Sequence, residues 1–325
     1  MPKVVLVEPM HELAEKTFHA ADGYEVVKLP AGASDADIRA AVTDADGIGV
    51  RIANLPRDLL ADCPNLKVIA KHGVGCDNID VDYCTERGIA VTVTADANAQ
   101  SVCEHTLMMM LALSRKALPM DAATRAGDFK VRSRVFGFDL NGRTAMVIGV
   151  GRIGTRLISM LRAFHMNVIA CDPLMSAEKA AELGCEKVED FRAHLGRADV
   201  LTVHIPLNKE NRSIIGAAEL AALPDHAMVI NCARGGIVNE SALIEALNAD
   251  QISCAGFDVF DGEPPPADHP FFKLENTILA PHFGGNTVEC LERMATSCAE
   301  NIIAVIQRRI EPRFVFNPDV LAKIQ

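Results

Sequence analysis

The run Gly142–Gly154, GRTAMVIGVGRIG, constrains this chain more than any other stretch. An apolar segment ends in Gly149-Val150-Gly151-Arg152-Ile153-Gly154, and a helical pattern follows at 152–164. A strand that ends in closely spaced glycines and opens straight into a helix is the start of a parallel βαβ unit. Gly149 permits the tight turn, Gly151 lets the backbone approach a bound group, and Gly154 lets the helix pack closely on the sheet. Arg152 and Ile153 begin the helix, so their amides point towards an anion such as a pyrophosphate. Asp172 closes the next apolar run, 23 residues after Gly149. A carboxylate there accepts both hydroxyls of an adenosine ribose and repels a 2′-phosphate, and no arginine lies between Cys171 and Lys179 to hold one. The pattern predicts a dinucleotide site that takes NAD rather than NADP.

The same grammar runs through the whole chain. Short apolar runs at 4–7, 24–28, 47–50, 67–70 and 89–93 alternate with helix-like segments such as 35–43. A second series at 145–149, 167–171, 199–204, 227–231, 253–257 and 277–280 alternates with helical patterns at 152–164, 176–183, 217–222 and 240–248. This predicts an α/β chain of two doubly wound parallel-sheet domains, the second with six strands. Between the two series, residues 98–120 read as one helix, apolar nearly all round, with Ser101 and Glu104 fitting a capping box at its start. A second long helical pattern spans 287–308 and carries the chain away from the nucleotide domain. The expected organisation is therefore a nucleotide-binding domain at 99–290 inserted in a substrate domain made of 1–98 and 291–325. A ligand between two such domains would sit in a cleft that closes and expels water.

Composition removes several classes of function. Forty-three acidic and 32 basic residues give a formal charge of −11, which argues against a nucleic-acid surface. The strongest apolar stretch, 106–113, is far too short to span a bilayer, and no secretory signal is expected ahead of the first strand. Ten scattered cysteines with no CxxC read as reduced thiols in a cytoplasmic protein. No metal site is expected: HExxH is absent, and Cys103-Glu104-His105 places its side chains on different helix faces, which reads as helix-start chemistry and packing.

Three polar residues follow strands of the second series. Arg234 lies in Asn231-Cys232-Ala233-Arg234-Gly235-Gly236, just past the end of 227–231, where ligands bind in this architecture and where glycines would bring the backbone close to them. Its planar guanidinium matches the carboxylate and adjacent carbonyl of a small 2-oxo acid. Glu263 lies in a loop stiffened by Pro264, Pro265 and Pro266, and His282 follows the last strand. Taken singly, each has a plainer reading: a loop-capping arginine, a solvated acid, a structural histidine. Together they fall on one sheet half, the half that carries the nicotinamide end. Ketone reduction needs a hydride on carbon and a proton on oxygen. Histidine suits the proton, and a paired glutamate orients the ring and favours its acid form. Asp258 closes the preceding strand, where it could accept a hydrogen bond from the nicotinamide carboxamide.

In the first series, Lys71-His72-Gly73-Val74-Gly75 follows the strand 67–70. Val74 and Gly75 can offer backbone amides to a substrate carboxylate. Arg51 ends the strand 47–50, and Asn98 starts the crossing helix. Both could point at substrate, and Lys71 reads the same way with less force.

With these residues in view, the chain resembles the D-isomer-specific 2-hydroxyacid dehydrogenases from about Val50 to Asn317. The matches run through His72–Asp80, Ala97–His105, Gly149–Gly154 with Asp172, His204-Ile205-Pro206-Leu207, Asn231–Glu240, Phe257–Pro266 and Pro281–Thr287. The resemblance implies a Rossmann nucleotide-binding domain inserted in a flavodoxin-like substrate domain. It implies NAD as cofactor, with His204, Pro206, Cys232 and Asp258 beside it. It also implies Arg234 on the substrate, Glu263 as partner of the histidine, His282 as the acid–base, and Val74 and Gly75 on the substrate carboxylate. The homodimer usual in that family would be built around the nucleotide domains and the helix after Asn98.

Several positions depart from the family's common pattern. Ala95-Asp96 replaces a usual Pro-Gly, Ile52 stands where phosphoglycerate enzymes often carry serine, and Asn239 replaces a frequent aspartate. Ile52 and the added charge of Asp96 count against a phosphate-bearing substrate. The working expectation is therefore hydroxypyruvate or glyoxylate, with D-3-phosphoglycerate as the alternative. The regulatory C-terminal domains of many phosphoglycerate enzymes are not expected, and a non-catalytic NAD-sensing corepressor could retain the same three residues.

Overall fold

The computed structural model describes residues 1–324. The chain divides into two compact units, one formed by Met1–Asn98 with the residues from Asn286 onward, the other by Ala99–Gly285. Each is built on one fully parallel sheet.

The first unit contains β1 (Lys3–Leu6), β2 (Glu25–Lys28), β3 (Gly47–Val50), β4 (Val68–Lys71) and β5 (Ala90–Val93), in the order β2-β1-β3-β4-β5. Alternate residues leave on opposite faces. Val5, Ile48, Ile69 and Val91 join one apolar cluster. Val4, Leu6, Val68 and Ala90 join another, together with Ala295, Cys298 and Ile302 of the helix Val288–Ile306. A strand buried on both faces must be apolar at every position, which is why these runs lack polar alternation.

The second unit contains β6 (Thr144–Ile148), β7 (Asn167–Cys171), β8 (Glu186–Val188), β9 (Val200–Val203), β10 (Met228–Asn231), β11 (Cys254–Phe257) and β12 (Thr277–Leu279). Their order is β12-β11-β10-β9-β6-β7-β8. Both units are therefore doubly wound, as the strand periodicity requires: a Rossmann-type order in the second, a flavodoxin-like order in the first. The second sheet has one strand more than the six expected. Glu186-Lys187-Val188 is a short polar edge strand with only Val188 buried, so it carries no apolar run to betray it. Met146 and Ile148 face one core, Ala145 and Val147 the other.

The helix after Asn98 differs from expectation at both ends. It spans Ala99–Ser114, and Ser101 lies buried inside it, not at a cap. Glu104 accepts a bond from Gln100 at 2.7 Å, one turn earlier. Lys116 adopts φ 51°, which ends the helical run, and a separate helix Ala117–Arg125 follows. Met109 and Met110 are fully buried and pack against the nucleotide sheet, while Met108 is 44% exposed. Among the described residues no helix is long and apolar enough to cross a membrane.

Candidate active site

In the second unit the chain order reverses between β6 and β9, and the loops that follow these strands meet there. Gly149 has φ 92°, and a β-carbon on it would lie 2.6 Å from the His204 carbonyl oxygen. Both the dihedral and the neighbour demand glycine. A β-carbon on Gly154 would lie 2.1 Å from the Gly149 carbonyl oxygen, so the helix Arg152–Ala163 can start this close to the turn only with glycine there. Gly151 is different. A β-carbon there would meet no protein atom within 4 Å, so no packing contact demands glycine at this position. Arg152 is exposed and Ile153 half-buried at the opening of the helix, the end whose dipole suits a pyrophosphate.

Asp172 ends up beside this turn. Its Oδ2 accepts the Val150 amide at 2.6 Å and its Oδ1 the Leu174 amide at 2.8 Å, so the carboxylate is locked in place with lone pairs to spare. A hollow lined by Val150, Gly151, Asp172, Leu174, Met175, Ser176 and Lys179 opens at this point. Lys179 is the cation nearest to serving a 2′-phosphate, but its Nζ is 2.9 Å from Glu182. His204 follows β9. Its Nε2 lies 2.9 Å from the Thr202 hydroxyl, its Nδ1 is buried without a partner, and burial pushes the imidazole down to about 4. Pro206 is exposed just beyond it. The Cys232 thiol turns into the core, 3.7 Å from the Met109 sulfur, and burial pushes it up to about 12, so that side chain is inert packing.

Arg234, Glu263 and His282 follow β10, β11 and β12, three adjacent strands. Asn231 curls the Arg234 loop by donating to the Arg234 carbonyl at 2.8 Å and accepting from the Ala233 amide at 3.0 Å. Arg234 Nη1 donates to the Ala233 carbonyl at 2.6 Å. The glycine after it serves protein packing: a β-carbon on Gly235 would lie 1.8 Å from the Phe260 carbonyl oxygen. That contact presses the Arg234 loop against the loop carrying Glu263. Glu263 Oε1 accepts the Phe260 amide at 3.0 Å, and Oε2 lies 2.7 Å from His282 Nδ1. The Glu263–Pro264 bond is cis. Burial pushes the Glu263 carboxyl up, but the His282 bond and charge, the Phe260 amide and the Arg234 charge outweigh it and hold it below the ordinary glutamate range. His282 is half exposed, and with Nδ1 committed to Glu263 its Nε2 is the nitrogen available for proton exchange.

Asp258 is 2% exposed and carries more than one task. Its carboxylate accepts the Phe283 and Gly284 amides at 2.6 and 2.8 Å, anchoring the histidine loop from below. Glu240 braces the Glu263 loop: it accepts the Asp261 amide at 2.6 Å and lies 3.2 Å from His269. Neither bracing role was legible from motif spacing.

The first unit has its own edge of loops. Val74 and Gly75 make no hydrogen bond through their amides among the described residues, which leaves those groups open to an anion. Lys71 Nζ donates to the Arg51 carbonyl and, at 2.6 Å, to Asn78 Oδ1. It therefore braces the loop. Arg51 Nη1 donates to the Pro9 carbonyl at 3.3 Å. The loop carrying Arg51 is held by Glu8, an unexpected residue, whose carboxylate accepts the amides of Arg51, Ile52 and Ala53 at 2.5, 2.7 and 2.9 Å. The Ile52 side chain is 83% exposed. Asn98 is half-buried just ahead of the helix Ala99–Ser114. His72 is buried and pushed down to about 4 by burial and the Arg51 charge, which makes it a poor proton donor near neutrality.

Residues 107–284 match the family model of the D-isomer specific 2-hydroxyacid dehydrogenase, NAD binding domain. The chain belongs to the D-isomer-specific 2-hydroxyacid dehydrogenases. The glycine turn and Asp172 lie in the matched NAD-binding domain. The chain is 38% identical over 321 residues to a D-3-phosphoglycerate dehydrogenase of Methanocaldococcus jannaschii, across 98% of this chain and 60% of that protein. It spans less than two thirds of the length of the phosphoglycerate dehydrogenases it matches. It is 35% identical to a glyoxylate reductase of Thermococcus litoralis across 98% of both chains. A crystal structure of a Thermus thermophilus protein superposes with a TM-score of 0.87 at 30% identity, covering 97% of this chain and 99% of that one.

Proposed function

We propose that this chain moves a hydride between NAD(H) and a small D-2-hydroxy acid/2-oxo acid pair, with His282 as the proton donor in reduction. The carrying observation is the 2.7 Å contact of His282 Nδ1 with Glu263 Oε2 at the strand ends of the nucleotide sheet. Glu263 orients the ring, and Arg234 binds the substrate carboxylate and polarises the adjacent carbonyl. We assign substrate binding as well to the unpartnered amides of Val74 and Gly75 and to Arg51 and Asn98. NADH supplies the hydride when bound. In the oxidative direction neutral His282 takes the hydroxyl proton.

The pair we put first is D-3-phosphoglycerate and 3-phosphohydroxypyruvate, which revises the expectation drawn from Ile52 and Asp96. Relatives 37–38% identical carry that activity in their names, and Ile52 meets Glu8 through its amide, so exchanging serine for isoleucine leaves that backbone bond in place. Hydroxypyruvate or glyoxylate is the second reading, favoured by the end-to-end match to a glyoxylate reductase. We also assign the protein to the cytosol as a homodimer. Leu118, Phe129 and Phe136 are 58%, 69% and 74% exposed on the segment after the helix Ala99–Ser114, which suits a second copy. The test is a kcat/KM panel with NADH and 3-phosphohydroxypyruvate, hydroxypyruvate and glyoxylate, run in both directions. Preference for hydroxypyruvate would transfer the assignment to the second reading. NADH binding without turnover of any 2-oxo acid would leave an NAD-sensing protein instead of an enzyme.

A further inference from the structure

The helix Ala99–Ser114 brings one polar side chain, His105, beneath the histidine loop. The starting point is Asp258, whose carboxylate is almost wholly buried and must therefore be partnered. It takes its partners from the segment that carries His282. The Phe283 amide donates to Oδ1 and the Gly284 amide to Oδ2, while the His282 amide donates to the Asp258 carbonyl at 2.8 Å. His282 itself has φ 54°, a left-handed backbone that a side chain with a β-carbon resists. Consecutive amides turned towards one anion are what hold such a backbone in place. The conformation of His282 therefore depends on where the Asp258 carboxylate sits.

His105 is the side chain that confines this carboxylate. Its Nε2 lies 3.3 Å from Asp258 Oδ1 and is buried, with no other polar partner among the described residues and no aligned hydrogen bond. Its ring lies 6.5 Å from the Phe283 ring, tilted by 53°. A β-carbon on Gly284 would lie 3.0 Å from Asp258 Oδ2 and 3.6 Å from both His105 Cδ2 and Val102 Cγ2.

We propose that His105 is a positioning residue: it holds the Asp258 carboxylate against the Phe283 and Gly284 amides, and so fixes the backbone that presents His282 to Glu263 and to substrate. The inference rests on the reading of His282 as the acid–base. Without the ring, the carboxylate keeps its charge but loses the wall and the ring nitrogen 3.3 Å away on that side. It can then move towards the vacated space and take the two amides with it. A displacement of about 1 Å in a proton donor costs up to about 100-fold in rate.

The test compares His105→Leu, which fills the space without a donor, with His105→Gln, which keeps an N–H. For His105→Leu we expect kcat to fall roughly 10- to 100-fold. NADH affinity, measured by cofactor fluorescence, should stay within about threefold because the adenosine end is bound elsewhere. The kcat–pH profile should also move. His105→Gln should recover most of kcat and the parental profile. If His105→Leu does not fold, His105→Asn replaces it, since its amide is too short to reach Asp258. Equal kcat and pH profile in the Leu and Gln variants would overturn the positioning role, because simple packing is indifferent to the N–H. A His282→Ala control separates the two claims. Full turnover in that variant defeats the acid–base reading itself, whereas its inactivity beside a fully active His105→Leu defeats only the role of His105.

Discussion

The glycine turn after β6 and the histidine loop after β12 lie at the same edge of one sheet, yet different forces shape them. At the glycine turn the backbone is set by what cannot fit: side chains are excluded at Gly149 and Gly154 by carbonyl oxygens 2.6 and 2.1 Å from where a β-carbon would be. At the histidine loop the backbone is set by what is bound. Asp258 takes the Phe283 and Gly284 amides, and Glu263 takes the ring of His282. Steric exclusion is insensitive to pH. A polar scaffold depends on distant residues staying charged and in register. A site that must bind one cofactor firmly and also move protons gains from keeping these two kinds of support apart.

The comparison can be broken most severely at His282. His282→Ala should lower kcat by about 10²–10⁴-fold while NADH binding stays near the parental value. A parallel loss of NADH affinity, measured by cofactor fluorescence, would mean that the two turns are not separable. On the other side, Gly154→Ala should destabilise the protein by about 1–3 kcal/mol and weaken NADH binding, because the helix must back away from the Gly149 carbonyl. Thermal melts with and without NADH report both effects, and an unchanged melt would refute steric control of that turn.

Asp172→Ala should reduce discrimination against NADPH by about tenfold, the worth of one hydrogen bond to a charged group, without altering the pH profile. Matched kcat/KM values for the two cofactors decide it. Glu263→Gln works in the opposite sense: cofactor preference should hold, while kcat falls about tenfold because the ring of His282 loses the charged partner 2.7 Å from its Nδ1.

The smallest expected effect lies at the far edge of the same sheet. Asp199 accepts the Thr144 amide at 2.7 Å and lies 2.8 Å from both Arg143 and His226. Burial pushes its carboxyl up, but these partners outweigh it and leave it below the ordinary aspartate range. A carboxyl depressed in the folded state stabilises fully above its unfolded value, about 3.9, and loses that contribution as pH falls through its folded value. Asp199→Asn should therefore cost no more than about 1 kcal/mol at pH 7 and flatten the acid limb of stability below pH 4, leaving kcat intact. Urea titrations at pH 7 and pH 3.5 measure this. A change in kcat would show that the two edges of the sheet are coupled.

Much of this molecule could be read before any coordinates. The apolar runs marked eleven of the strands, because strands buried on both faces admit few polar residues, and the GVGRIG turn named its own geometry through its glycines. The motif order also brought Arg234, Glu263 and His282 onto neighbouring strands. The polar edge strand Glu186–Val188 was hidden because it carries no apolar period, whereas the break at Lys116 was announced by Pro119 three residues later and passed over. Glu8 and His105 were hidden for a deeper reason. Glu8 belongs to no motif, and His105 reads as part of a helix start, until folding brings Glu8 to the amides of residues 51–53 and His105 to within 3.3 Å of Asp258. What the sequence determined alone was the type of each element and the residues equipped for cofactor and proton chemistry, because both follow from local sterics and side-chain chemistry. What only the tertiary structure decided was which buried groups hold those residues in working geometry, because such partners lie far apart along the chain and are joined only when two strand ends and a helix pack together.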